Sequence, residues 1–180
     1  MSNTIREATD CLIGLGVEAG KPLSPLEIQK MLYFLEGLHL ALVDAPLFDE
    51  NFQAWKFGPA LPSVYRRLKR FGDGPVSPAI IDSKIGSTLS ESVLGMIKLV
   101  YDVFSKFDGP SLVGLTHLPG TPWAIVRNEK GIPRGENSDE PIDIELIGDW
   151  FKSKWLEAVK PASNEINFFP KEEFPEWATA

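Results

Sequence analysis

A chain of 180 residues, 43% hydrophobic and 24% charged, is long enough for one domain with a real core. It holds no run of about 18 apolar residues that would cross a bilayer, and its polar start, MSNTIREATD, does not read as a secretory leader. The net charge of −7 is uneven: residues 1–135 carry 14 acids and 14 bases, residues 136–180 carry 11 acids and 4 bases, so no broad basic surface for a phosphate backbone is expected.

The first predicted helix covers about residues 4–19, with Ile5, Ala8, Leu12 and Leu15 at helical spacing. Cys11 falls on its apolar side. A lone cysteine makes no internal disulfide, which suits a reducing cytoplasm, and it is expected to be a buried, inert thiol. Gly20-Lys21-Pro22 stops the helix. Ser24-Pro25-Leu26-Glu27 then reads as a capping box with proline at the first helical position. The helix that follows runs to about Val43 and is expected to be central, with Ile28, Met31, Leu32, Leu35, Leu38 and Leu42 on one face and Tyr33 and Phe34 widening it.

After the turn Asp44-Ala45-Pro46, the run Phe52–Phe57 reads as a short strand or irregular segment, ended by Gly58-Pro59. A third helix over about 61–71 places Leu61, Val64, Tyr65, Leu68 and Phe71 on one side and Arg66, Arg67, Lys69 and Arg70 on the other. Residues 75–87 read as irregular or weakly β, anchored by Ile80, Ile81 and Ile85. A long helix over about 88–107 and a short one capped by Ser111 and ending near Leu118 come next. Residues 128–141 read as an exposed loop, and a last helix over about 142–157 buries Ile144, Ile147, Trp150 and Phe151. The expectation is a mostly α, single compact helical domain of about six helices over residues 1–158, with a short β element near residues 52–57. An acidic-aromatic tail follows at 159–180.

The chemistry-bearing inventory is sparse. His39 and His117 lack neighbours at metal-site spacing, no glycine-rich phosphate loop or nucleophile elbow occurs, and no cofactor is expected. The acidic pairs Asp49-Glu50 and Asp139-Glu140 read as solvated surface. Binding surfaces stand out more: Lys56, the cations Arg66, Arg67 and Arg70, and the tail aromatics Phe169 and Trp177, since exposed aromatics are costly unless something covers them.

From Leu23 onward, motif after motif resembles the Panacea, or SocA-like, antitoxin family. The run Leu26–Phe34 is similar to its opening motif. Pro46-Leu47-Phe48 with Phe52–Pro59, then Pro62-Ser63-Val64-Tyr65, are similar to its next blocks. Leu115-Thr116-His117 and Pro122-Trp123 are similar to its later pair. Five blocks in the right order cover about residues 5–152. Ala60 and Leu61 depart mildly from the pattern, and the tail lies outside it.

The resemblance implies a bacterial or phage-borne antitoxin that neutralises a cognate toxin by direct contact. It also implies that some relatives act as adaptors to an ATP-dependent protease. Catalysis is not expected. Tyr33, Trp55, Gly58, Pro59, Tyr65, His117 and Trp123 are its motif residues. Gly58-Pro59 is expected to fix a sharp change of direction. Trp55 and Tyr65 are expected to pack across that junction as core, Trp123 to cap the short helix, and His117 to tie a loop through its ring nitrogens. Two alternatives stand: a DNA-binding repressor of its own operon acting through the basic helix, and a hydrolase with an unrecognised site.

Overall fold

The computed structural model describes residues 1–81 and 88–158, the last four in backbone only. Seven α-helices and one two-stranded sheet are described, in the order α1 (Asn3–Glu18), α2 (Pro25–Val43), β1 (Gln53–Trp55), β2 (Gly58–Ala60), α3 (Pro62–Leu68), α4 (Glu91–Phe104), α5 (Gly109–Thr116), α6 (Pro122–Glu129) and α7 (Ile144–Ala158). The mostly helical expectation holds.

Helix α2 is the hub, as its apolar girth requires. Its start is fixed by the capping box: Ser24 Oγ accepts from the Glu27 amide, and Glu27 Oε2 accepts from the Ser24 amide at 2.7 Å. Ile28, Met31, Leu32, Leu35 and Leu38 are all buried. Helices α1, α4, α5 and α7 and strand β2 pack around it. Phe34 stacks on Phe104 of α4 with ring centroids 4.0 Å apart, and Tyr33 meets Phe151 of α7 edge-on at 5.6 Å. Gly37 lets α7 come close, because a Cβ built there would lie 2.3 Å from ring carbons of Phe151.

Several elements differ from the sequence reading. The β element is a hairpin: β1 pairs antiparallel with β2, and Gly58-Pro59 belongs to the second strand rather than ending the first. The third helix is α-helical only over Pro62–Leu68 and tightens into a 3-10 turn at Lys69–Phe71. Helix α4 is shorter than expected, since Ser90 caps it at Val93 and Phe104 ends it. The cap of α5 is Asp108, whose Oδ1 accepts from the Ser111 amide at 2.9 Å, so Ser111 lies inside the helix. Helix α6 is an element the spacing did not announce; its eight residues are started by Thr121, whose hydroxyl accepts from the Ala124 amide. Of the irregular anchors, Ile80 and Ile81 pack on the core, whereas Ile85 lies outside the described residues.

Burial also corrects individual side chains. Tyr65 is 47% exposed, not core. Arg67 turns inward from the other cations, with Nη2 2.5 Å from Asp10 Oδ1 of α1 and 3.0 Å from the Ile80 carbonyl. Glu50 is not merely solvated: its Oε1 accepts from the Ser63 amide at 2.9 Å, at the start of α3, where Leu61 offers no capping side chain. Cys11 is half-buried, and burial, with Glu7 and Asp10 nearby, pushes its thiol up to about 11, which suits an inert role.

Candidate functional site

The β1–β2 hairpin gathers most of the motif residues. Its two-residue tip is Lys56-Phe57, because Trp55 pairs with Gly58. Positive φ falls on Gly58 (+93°) and not on the tip residues, so the strands close through a glycine that adopts what other residues resist. That glycine is also confined: a Cβ would lie 2.5 Å from Thr116 Oγ1 and 2.8 Å from Lys30 Nζ.

Buried polar side chains hold the hairpin by its backbone. From α2, Lys30 Nζ donates to the Pro59 carbonyl at 2.8 Å. Its neighbour Gln29 clamps the next joint in both directions, donating to the Leu61 carbonyl at 3.0 Å and accepting from the Leu61 amide at 2.9 Å. From α6, Trp123 Nε1 donates to the Trp55 carbonyl at 2.7 Å, and Arg127 Nη1 donates to the Ala54 carbonyl at 2.7 Å. Arg127 Nη2 also donates to the carbonyls of Pro133 and Glu136, tying the 130s loop to the same sheet edge. That loop reaches back: the Ala54 amide donates to the Glu140 carbonyl, and the Ile142 amide to the Phe52 carbonyl. Helix α6 runs to Glu129, so the surface loop is 130–141, and its end joins the hairpin as a strand-like edge, with Pro141 opposite Gln53.

What the hairpin displays is aromatic. The Trp55 ring lies edge-on to Tyr65 of α3 at 4.9 Å, and its Nε1 donates to Gln53 Oε1 at 2.7 Å. These two rings do pack across the junction, but on its outer side. Phe57 at the tip is 59% exposed, with Lys56 Nζ 5.2 Å from its ring centroid. Arg66, Lys69 and Arg70 are exposed on the α3 side.

His117 and Trp123 meet as well. Trp123 is buried and stacks flat on the His117 ring, centroids 3.6 Å apart and planes within 5°. The expected loop tie through His117 is not made at Nε2, which is buried without a partner. Burial first, then the charges of Lys30, Arg134 and Arg127, lower its pKa to about 4, so the ring is neutral at physiological pH.

Two more groups are strongly perturbed. Burial lowers Lys30 to about 7. Burial raises Glu36 of α2 to about 7, opposed by the Phe48 and Leu47 amides that donate to its carboxylate. Neither these groups nor His117 line the cavity of about 310 Å³ beside Leu118 and Trp150, or the one of about 130 Å³ beside Trp123 and Arg127. Lys30 and Glu36 find their partners in backbone groups of strands and loops, and the His117 ring packs on Trp123, so all three serve the scaffold. Among the described residues, no cluster of three or more His, Cys, Asp or Glu could hold a metal. No helix there is long and apolar enough to cross a membrane.

The sequence reading had not singled out Gln29, Lys30, Glu36 or Arg127. A signal existed for the first three: they are polar breaks in the apolar girth of α2 between Ile28 and Leu38. Of the residues it did name, the structure brings Trp55, Lys56, Gly58, Pro59 and Tyr65 together and places His117 and Trp123 behind them. Tyr33 stays in the core. Phe169 and Trp177 lie outside the described residues.

Comparison with known proteins identifies the family. The family model described as antitoxin SocA-like, Panacea domain, matches residues 28–124, a stretch that contains Lys30, the whole hairpin, α3, His117 and Trp123. The antitoxin SocA of Caulobacter vibrioides (strain NA1000 / CB15N) is 30% identical over 138 residues, covering 72% of this chain and 73% of that protein. No solved structure matches the chain. With the motif residues assembled around one anchored hairpin, and with a match over more than half of its length, the chain belongs to the SocA-like, Panacea-domain antitoxin family.

Proposed function

We propose that this chain is the antitoxin of a bacterial or phage-borne toxin–antitoxin pair and neutralises its cognate toxin by direct protein–protein contact in the cytoplasm, without catalysing a reaction. Family membership supports the antitoxin role. The observation that favours contact over chemistry is the use of the buried polar groups. Lys30, Gln29, Trp123 and Arg127 all spend hydrogen bonds on backbone groups of the hairpin and its loops, so the hairpin is held in one shape with Trp55 and Phe57 on its outer side. A surface fixed before binding loses less conformational entropy on association.

Co-expression with the product of the adjacent gene tests this. A neighbour that arrests growth alone, but is harmless and co-purifies when this chain is present, is the expected result. A neighbour that stays toxic beside the chain, or no co-purification, would overturn the reading. Following the toxin's half-life in the same cells separates two modes. An unchanged half-life means masking, while a shortened one that depends on an ATP-driven protease means delivery for degradation.

A further inference from the structure

We propose that the outer face of the hairpin and of α3 is the surface that grips the toxin, and that the toxin meets it with an apolar patch rimmed by carboxylates. The proposal rests on the antitoxin reading above.

Three observations carry it. Phe57 and Tyr65 are 59% and 47% exposed, and Trp55 lies half-buried against Tyr65. Large aromatic rings left in water at and beside the tip of a tightly held hairpin resemble the anchors that dominate binding at protein interfaces. Cations neighbour the rings: Lys56 Nζ lies 5.2 Å from the Phe57 centroid, and Arg66, Lys69 and Arg70 are exposed on α3 and the 3-10 turn that continues it, the element that carries Tyr65. From Asn51 to Gly72 the chain carries Lys56, Arg66, Arg67, Lys69 and Arg70 and no acid at all, in a molecule whose net charge is −7. Arg67 is engaged with Asp10, whereas Lys56, Arg66, Lys69 and Arg70 have no ion pair among the described residues.

An aromatic centre with a cationic rim on an acidic protein calls for a partner with the opposite pattern. Charge complementarity at the rim sets the association rate and the register, while the rings provide the apolar burial. A nucleic acid fits less well. Helix α3 has only seven residues, and the net negative charge opposes a phosphate backbone. The other exposed apolar pair, Leu42-Val43 at the end of α2, has no such rim, since the adjoining Asp44 pairs with Lys152.

The test uses the full chain with the toxin encoded beside it. Phe57→Ala/Tyr65→Ala and Arg66→Glu/Arg70→Glu are compared with the control Leu42→Ser/Val43→Ser, each checked for wild-type circular dichroism and urea midpoint. The expected result is that both face variants fold, bind toxin at least ten-fold more weakly and lose growth rescue, while the control behaves as wild type. Wild-type affinity should also fall as salt is raised. A carboxylate-to-lysine change in the toxin should restore binding to Arg66→Glu/Arg70→Glu.

If the wild type rescues and both face variants rescue equally, the surface assignment is overturned and the antitoxin reading survives. If the wild type itself neither rescues nor co-purifies, the antitoxin reading fails and takes the surface with it. If Arg66→Glu/Arg70→Glu keeps the toxin but loses a gel shift with duplex DNA from upstream of its own gene, the face belongs to nucleic acid and the proposal is overturned.

Discussion

Lys30 shows how far a single buried residue can set both shape and titration. It is buried, with Gln29 and Glu36, among the apolar side chains of α2, 1% exposed and with the Pro59 carbonyl as acceptor. Burial lowers its pKa from 10.5 to about 7. Folded, it gives up its proton near 7; unfolded, it keeps that proton up to 10.5. Between those values the unfolded chain binds more protons, so stability rises with pH through the window and is lost as pH falls back toward 7. The slope is at most about 1.4 kcal/mol per pH unit. Urea midpoints of the wild type should therefore climb between about pH 7.5 and 9, and Lys30→Met should remove the climb. The range stops there because Cys11, raised to about 11 from 9.0, acts with the opposite sign at higher pH. An equal climb in both proteins would mean that Lys30 stays charged in the fold.

At the scale of elements, the contact between α2 and α7 depends on the lack of a side chain at Gly37. The Phe151 ring fills the space where a Cβ would stand, 2.3 Å away, and that ring also meets Tyr33 and Phe34. Gly37→Ala must either push α7 off or force Phe151 out of its rotamer. Overpacking of this kind costs about 1–3 kcal/mol, more than the helix propensity that alanine adds. A shallower side chain in α7 should relieve it, so Gly37→Ala/Phe151→Leu should be less unstable than the two single changes summed. Thermal unfolding of the four proteins checks this, and strict additivity would show that Gly37 does not seat the ring.

Across the whole molecule, helix α2 touches α1, α3, α4, α5, α7 and the hairpin, so no layer is independent of it. The hairpin–α6 region is joined to α2 by Lys30 and Gln29, and to itself by Trp123 and Arg127. Cooperative unfolding should follow. Tryptophan fluorescence, which reports Trp55 and Trp123 among others, and far-UV circular dichroism, which reports the helices, should give one shared urea midpoint. An earlier fluorescence midpoint would show that the hairpin opens as a separate unit.

The molecule also divides cleanly into what its sequence states and what it withholds. Local signals carried the helices: the Ser24–Glu27 capping box, the apolar stripe of α2 and the Gly and Pro stops act over a few residues, so the chain announces them directly. The same local reading misplaced the cap of α5, where Asp108 and Ser111 are both able to cap and Asp108, with Pro110 in the first turn, is the one that does. It overlooked α6, although Thr121-Pro122 offers the same cap-and-proline start as Ser24-Pro25. The candidate site was legible as a set of residues but not as a place. Helical spacing put Tyr65 on the apolar side of α3 and Arg67 with the solvated cations. The fold reversed both, because the carboxylate of Asp10 is 57 residues away in sequence and draws Arg67 inward, while Trp55 holds Tyr65 at the surface. The sequence alone therefore determined the helical class, the hub helix and the family. Only the tertiary structure decided that Lys30, Gln29, Trp123 and Arg127 converge on one hairpin and turn its aromatic tip outward, since hydrogen bonds spanning 29 to 73 residues leave no periodic trace in the chain.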